Sequence, residues 1–166
     1  NGVTLPDGHG FPARLLIPGI YGMKNVKWLT GIEIMDQDYY GYWQERGWSD
    51  SADIVIMSRI DNPGQNDKFS RGGINSISGV AFSGDQGISR VEVSQDGGKS
   101  WAPAELKEAL SPYTWVLWVY NWEPSPGKYN LLVRAADKKG LLQKSVEREP
   151  YPDGATGYHS ITVRIV

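Results

Sequence analysis

The stretch HGFPARLLIPGIYGMKNVKW, residues 9–28, concentrates side chains suited to one task, the holding of an anion. His9 offers ring N–H donors. Arg14 offers a planar fork of donors that matches phosphate geometry. Lys27 adds a point charge, and the glycine loop at 22–27 can turn backbone N–H groups toward a ligand. Pro12 and Pro18 fix the backbone on either side of an apolar run. Gly10, Gly19 and Gly22 permit positive φ or the close approach of a bound group. A phosphate site is the simplest reading. An exposed strand edge with ordinary surface charges is the competing one.

Other chemistry finds little support. Glu33, Asp36, Asp38, Glu45, Asp50, Glu105 and Glu108 are scattered, with no carboxylate pair placed across a cleft. No His, Asp or Glu cluster has metal-ligand spacing. No G-x-S-x-G elbow is present. The chain has no cysteine, which removes disulfides and thiolate ligands. His159 falls on the apolar phase of the last strand and reads as a hydrogen-bonded core or interface histidine. No residue is assigned a catalytic role. SQDGGKSW (94–101) fits the S-x-D-x-G-x-[ST]-W box of sialidase propellers, but a propeller needs that unit repeated, and it occurs once. Its local meaning is a tight hairpin turn shaped by Asp96 and two glycines, with Trp101 packed beneath.

The elements that must position such a site are mostly strands. The 166 residues carry 40% apolar and 22% charged side chains, as expected of a globular domain with a sizeable core. Net charge is −2 with both signs mixed along the chain, which argues against nucleic acid as a partner. No apolar run is long enough for a membrane span. The opening NGVTLPDGHG lacks an initiator Met and the basic and apolar regions of a signal peptide, so a processed product or a fragment is expected. The compartment stays open, a periplasmic or other extracytoplasmic one included.

Strands are expected at Ala13–Ile17, at Val26–Met35 and at Ile54–Ile60, with a short helical turn near Tyr42–Arg46. Residues 61–73, DNPGQNDKFSRGG, read as a linker or long loop. From Ile74 onward, strands recur about every ten residues, beginning with Ile77, Val80 and Phe82. ISRVEV (88–93), YNLLVRAA (129–136) and YHSITVRIV (158–166) alternate as half-buried strands do. TWVLWVYNW (114–122) reads as a strand buried on both faces. AELKEAL (104–110) reads as one or two helical turns. The fold class is mainly β, an immunoglobulin-like β-sandwich without the disulfide.

The front segment resembles the molybdopterin-binding domain of the sulfite oxidase family. The shared text is H-G-F-P-x-R, then P-G, then a glycine loop ending in V-K-W: His9, Gly10, Phe11, Pro12, Arg14, Pro18, Gly19, Gly22, Val26, Lys27 and Trp28. The resemblance continues through SRIDNP (58–63), and the remainder is similar to the family's C-terminal dimerisation domain. It implies that residues 1–65 are the C-terminal remnant of an α+β molybdopterin-binding domain. Residues 66–166 would then be an immunoglobulin-like (E-set) dimerisation domain.

By the same resemblance, His9, Arg14, Asn25, Val26 and Lys27 contact the pterin cofactor, largely at its phosphate end, and no metal ligand lies in this chain. The molybdenum–molybdopterin cofactor belongs to the parent enzyme, an oxygen-atom-transfer oxidoreductase, and is expected to be absent from this part alone. The remaining cofactor domain lies upstream, and the sandwich is expected to form a homodimer. The alternative is a non-catalytic β-sandwich that binds glycan or protein partners through its aromatic strands.

Overall fold

A computed structural model describes residues 2–69 and 75–166. Ile74 and the end of the expected linker (70–73) lie outside the described residues. Among the described residues, nine strands form two sheets. The first sheet runs β1 (Met57–Asn62), β3 (Asn75–Phe82), β7 (Val116–Trp122), β6 (Glu105–Leu106). The second runs β2 (Lys68–Phe69), β9 (His159–Ile165), β8 (Gly127–Asp137), β4 (Ile88–Ser94), β5 (Ala102–Pro103). All pairings are antiparallel except β2 with β9.

The core lies between the sheets, as alternation requires of two faces packed together. Ile77, Ala81, Val116, Trp118 and Trp122 point in from the first sheet; Val91, Val93, Leu131, Val133, Ala135, Ile161, Val163 and Ile165 point in from the second. Tyr129 and Trp122 meet edge to face at 4.9 Å between centroids. No residue before Ile56 belongs to this cluster. The mainly β, sandwich-type architecture is thus the one the periodicity implied.

Several local expectations are corrected. Neither 13–17 nor 26–35 forms a strand. The two segments meet through the Leu15 N–H on the Val26 carbonyl (2.9 Å) and the Leu29 N–H on the Ala13 carbonyl (3.0 Å). Pro12 and Pro18 lack N–H donors, and a lone two-stranded pairing with no third strand is marginal. Residues 104–110 hold β6 rather than a helix, because Glu105 and Leu106 find partners in Val119 and Trp118 of β7. β7 is buried on one face only: Trp118 is 2% exposed, whereas Leu117 is 49% exposed. The expected linker contains β2, and β1 runs into its first residues. Because β1 pairs with β3, a strand preceding residue 66 is part of the sandwich.

SQDGGKSW links β4 to β5 as a side-chain-capped turn. Asp96 accepts the N–H groups of Lys99 and Ser100, both at 3.0 Å, and the Ser100 hydroxyl at 2.6 Å. These donors, Ser100 first, hold the Asp96 carboxyl well below the usual carboxylate range. Trp101 lies under the Arg134 guanidinium (4.1 Å) and against Tyr158 (5.5 Å).

Candidate functional site: a cation-lined cavity at the front of the chain

The front segment folds as three 3₁₀ turns joined by extended chain: Asp7–His9, Gly22–Lys24 and Gln44–Arg46. Gly10 closes the first with φ 112°, a left-handed conformation that favours glycine. The Gly10 backbone is packed between Arg14 and Lys27: a Cβ placed there would meet Lys27 Cβ at 3.1 Å and Arg14 Cβ at 3.2 Å. The Lys27 ammonium donates to the Gly8 carbonyl at 2.7 Å, and the Trp28 indole N–H donates to the Asp7 carbonyl at 2.9 Å. This fixes the H-G-F-P-x-R turn against the V-K-W segment.

Behind this junction lies a cavity of about 700 Å³. Arg14, Asn25, Val26 and Lys27 line it together, along with Met23, Lys24, Tyr39, Tyr42, Trp43 and Gln44. Asn25 is oriented by the Ile17 N–H, which donates to its side-chain oxygen at 2.7 Å. Four of the five residues expected to form the site thus share one concavity. His9 is the exception: it is exposed, ends the first turn, and is not among the lining residues. It sits beside Gly8, whose carbonyl holds Lys27.

The lining contains three cations and no carboxylate. Lys24 is neutralised by Asp50 at 2.7 Å, which leaves Arg14 and Lys27 as the cations without an ion-pair partner among the described residues. Arg14 Nε is buried and has no hydrogen-bond acceptor. An orphaned, charged donor of this kind carries a desolvation cost unless an acceptor reaches it. The residues present therefore fit an anionic group. Tyr39, Tyr42 and Trp43, each about half exposed or more, add aromatic surface for a planar partner. The Arg46 guanidinium stacks on Tyr42 at 3.4 Å.

Sequence reasoning placed a helical turn near Tyr42–Arg46 but did not assign DQDYYGYWQERGW to the site. The available signal was the density of aromatics next to a turn. The reason they converge is tertiary. Among the described residues no three His, Asp or Glu side chains group as metal ligands, and no helix is long and apolar enough to cross a membrane.

Fold and cavity together define an immunoglobulin-like sandwich that carries an anion-fitting pocket on its N-terminal extension. Comparison with known proteins agrees with both parts. The family model "Oxidoreductase molybdopterin binding domain" matches residues 1–43, and "Mo-co oxidoreductase dimerisation domain" matches residues 50–149. Mitochondrial sulfite oxidase of Mus musculus is 34% identical over 167 residues, covering 86% of this chain and 30% of the mouse protein. Sulfite oxidase of Arabidopsis thaliana is 34% identical over 197 residues, covering 99% of this chain and 50% of the plant protein. The crystal structure of the sulfane dehydrogenase SoxCD from Paracoccus pantotrophus superposes with a TM-score of 0.80 at 26% identity, over 96% of this chain and 46% of that one.

The chain belongs to the sulfite oxidase family of molybdenum-cofactor oxidoreductases. It spans between about a third and a half of the length of these relatives. A free-standing glycan- or protein-binding module is not favoured by these matches.

Proposed function

We propose that this chain serves a molybdenum-cofactor enzyme in two ways: it anchors the anionic end of the pterin cofactor, and it joins two enzyme copies. The observation that carries the first role is the convergence of Arg14, Asn25, Val26 and Lys27 on one cavity with an unpaired buried guanidinium donor. In that role Arg14 presents its fork to a phosphate oxygen, and Lys27, held by Gly8, supplies positive charge at fixed position. Asn25 and Val26 line the approach between them. His9 contacts the cofactor from outside the cavity rim, held near Lys27 through the Gly8 carbonyl.

When bound, the cofactor supplies two-electron oxygen-atom transfer at molybdenum, the chemistry of sulfite oxidation. This chain contributes orientation and charge rather than a reacting side chain. It contains no cysteine, so in this reading any thiolate ligand of the metal belongs to another part of the enzyme. The working boundary between the two roles lies between residues 43 and 57, earlier than residue 65, since β1 pairs into the sandwich.

The second role falls to the outer face of the first sheet, and the partner is a second copy of the chain. Leu117 and Trp115 are exposed there, with half-buried Phe82 and Val119 beside them and buried Val80 opposite Leu117. Phe82, Tyr113, Thr114 and Trp115 shape a shallow apolar hollow of about 360 Å³. The outer face of the second sheet presents Arg90, Glu92 and Arg134 in a salt-bridged row and suits solvent. The apolar part of the first face, around Leu117, Trp115 and Phe82, is bordered by Arg59 opposite Val80 and Glu105 opposite Val119, an apolar centre with a polar rim as interfaces have.

Arg14→Ala combined with Lys27→Ala tests the anchoring role. Two charge-assisted contacts are worth about 1.5–3 kcal/mol each, so cofactor retained through purification of the full-length enzyme should fall at least ~100-fold in affinity terms. Unchanged cofactor content would refute it.

A further inference from the structure

β8 and β9 are adjacent antiparallel strands, a pair that two residues can join. Residues 138–158 connect them instead. Long connections in compact domains are commonly functional. Its outer part is closed on itself by a bridge between Arg148 and Thr156, with both N–H···O bonds at 3.2 Å. Its tip, Tyr151–Pro152, reaches the front segment. These two residues lie outside both matched ranges, 1–43 and 50–149.

The tip touches residues that flank the two turns lining the cavity. The Pro152 carbonyl accepts two donors, the Tyr21 hydroxyl and the Ser49 N–H, each at 3.1 Å. Tyr21 caps the Gly22–Lys24 turn, whose residues form one wall. Ser49 follows the Gln44–Arg46 turn, and its carbonyl accepts the Gln44 side-chain amide at 3.5 Å. Gln44 lies on the opposing wall with Trp43. The Tyr151 hydroxyl donates to the Arg46 carbonyl at 3.3 Å, and a Cβ on Gly47 would collide with that hydroxyl. The Tyr151 ring meets Trp48 edge to face at 5.4 Å, and Trp48 meets Trp43 at 6.4 Å. Trp43 itself faces the cavity.

We infer that the Tyr151–Pro152 turn is a positioning element for the cavity: it braces the Gly22–Lys24 and Gln44–Arg46 turns from outside, beside their direct contacts with each other. The Pro152 carbonyl is shared by the flanks of both turns and adds to their direct ties, the Gln44 amide on Met23 Sδ at 3.8 Å and Lys24 on Asp50 at 2.7 Å. The turn does not line the cavity, so it acts only through Tyr21, Arg46, Trp48 and Ser49. This rests on the cavity's proposed role as cofactor anchor, and it extends that role to a part of the chain beyond the matched domains.

The test compares Tyr151→Ala, Tyr151→Phe and Tyr21→Phe with Arg14→Ala as reference, in the full-length cofactor-containing protein. Two quantities are read: cofactor retained per chain after purification, and amide hydrogen exchange. Tyr151→Ala is expected to lower retention roughly ten-fold and to speed exchange at Gly47, whose N–H closes the Gln44–Arg46 turn, and at Ser49, whose N–H is held by the neighbouring Pro152 carbonyl, as the segment loses its brace. Exchange in β7 and β8 should stay at the wild-type rate, since Tyr151 is outside the core. Tyr151→Phe, which keeps the ring on Trp48, should recover most of the retention. Tyr21→Phe should lower it by a smaller factor, because Tyr21 reaches the cavity only through its turn.

Wild-type retention in Tyr151→Ala, with loss in Arg14→Ala, would overturn the positioning role and leave the anchoring role standing. Wild-type retention in both would overturn the two together. Faster exchange throughout β7 and β8 in Tyr151→Ala would also overturn it, by showing general unfolding in place of a local staple.

Discussion

Gly10 lies close against Lys27: a Cβ on Gly10 would stand 3.1 Å from Lys27 Cβ and 3.2 Å from its Cα. Together with φ 112°, a conformation that side chains rarely adopt, this makes any side chain crowd both neighbours. Gly10→Ala should therefore push Lys27 and Arg14 apart, at a conformational cost of about 1–3 kcal/mol. Cofactor retention should fall even though no contact group is removed. Measurement of retained cofactor beside a Gly8→Ala control, at a position with open space around it, checks this.

His159 on β9 accepts the Ile60 N–H of β1 on its Nδ1 at 3.1 Å, which ties the edge strand of the first sheet to the second sheet. Burial first, and then the Arg59 charge, lower its pKa from the ordinary value, with Asp61 opposing. A histidine with a lowered folded pKa takes up protons more readily when unfolded. Its stabilising contribution is complete above pH about 6.5 and is lost as pH falls through the folded value. Denaturant midpoints measured from pH 8 to pH 5 should fall toward the acid end. His159→Asn, which keeps an acceptor, should flatten that slope, and an unaltered slope would remove His159 as its source.

Leu117 is 49% exposed at the centre of the apolar outer face. Leu117→Lys together with Trp115→Glu places charge where the second copy is expected to seat. The pair should shift the protein from dimer to monomer by light scattering, with thermal stability of the monomer little changed, since surface substitutions usually stay within ~0.5 kcal/mol. A wild-type mass for the variant would move the contact elsewhere.

Gly79 sits in β3 opposite Ile60 of β1 and Trp118 of β7. A Cβ there would collide with the Arg59 carbonyl and come within 3.0 Å of the Trp118 ring. Because the obstruction is neighbouring backbone inside the core, Gly79→Ala should cost about 3–5 kcal/mol. Unfolding midpoints would register this directly.

The sandwich was legible because period-two alternation reports which face of a strand is buried, and Leu131, Val133 and Ala135 or Ile161, Val163 and Ile165 keep that period without interruption. Where a strand's outer face is also apolar, as at Trp115 and Leu117, alternation disappears from the text, and the strand reads as buried on both sides. Short strands such as β6 carry no period of their own, and Glu105 and Leu106 are extended only because β7 is there to pair with. At the front, the motif residues Arg14, Asn25, Val26 and Lys27 were legible by resemblance. The aromatic wall was not, since Tyr42 and Trp43 reach the cavity through packing with Trp48 and Tyr151, more than a hundred residues apart in the chain.

Every member of the hydrophobic cluster lies at Ile56 or beyond, so the first fifty residues have no interior of their own. Their order is borrowed from a handful of hydrogen bonds and ring contacts. Segments held this way open at low free energy, whereas the strands open only with the whole domain. A protease given brief access should therefore trim the chain from its N-terminal side and leave an intact, resistant body of two sheets.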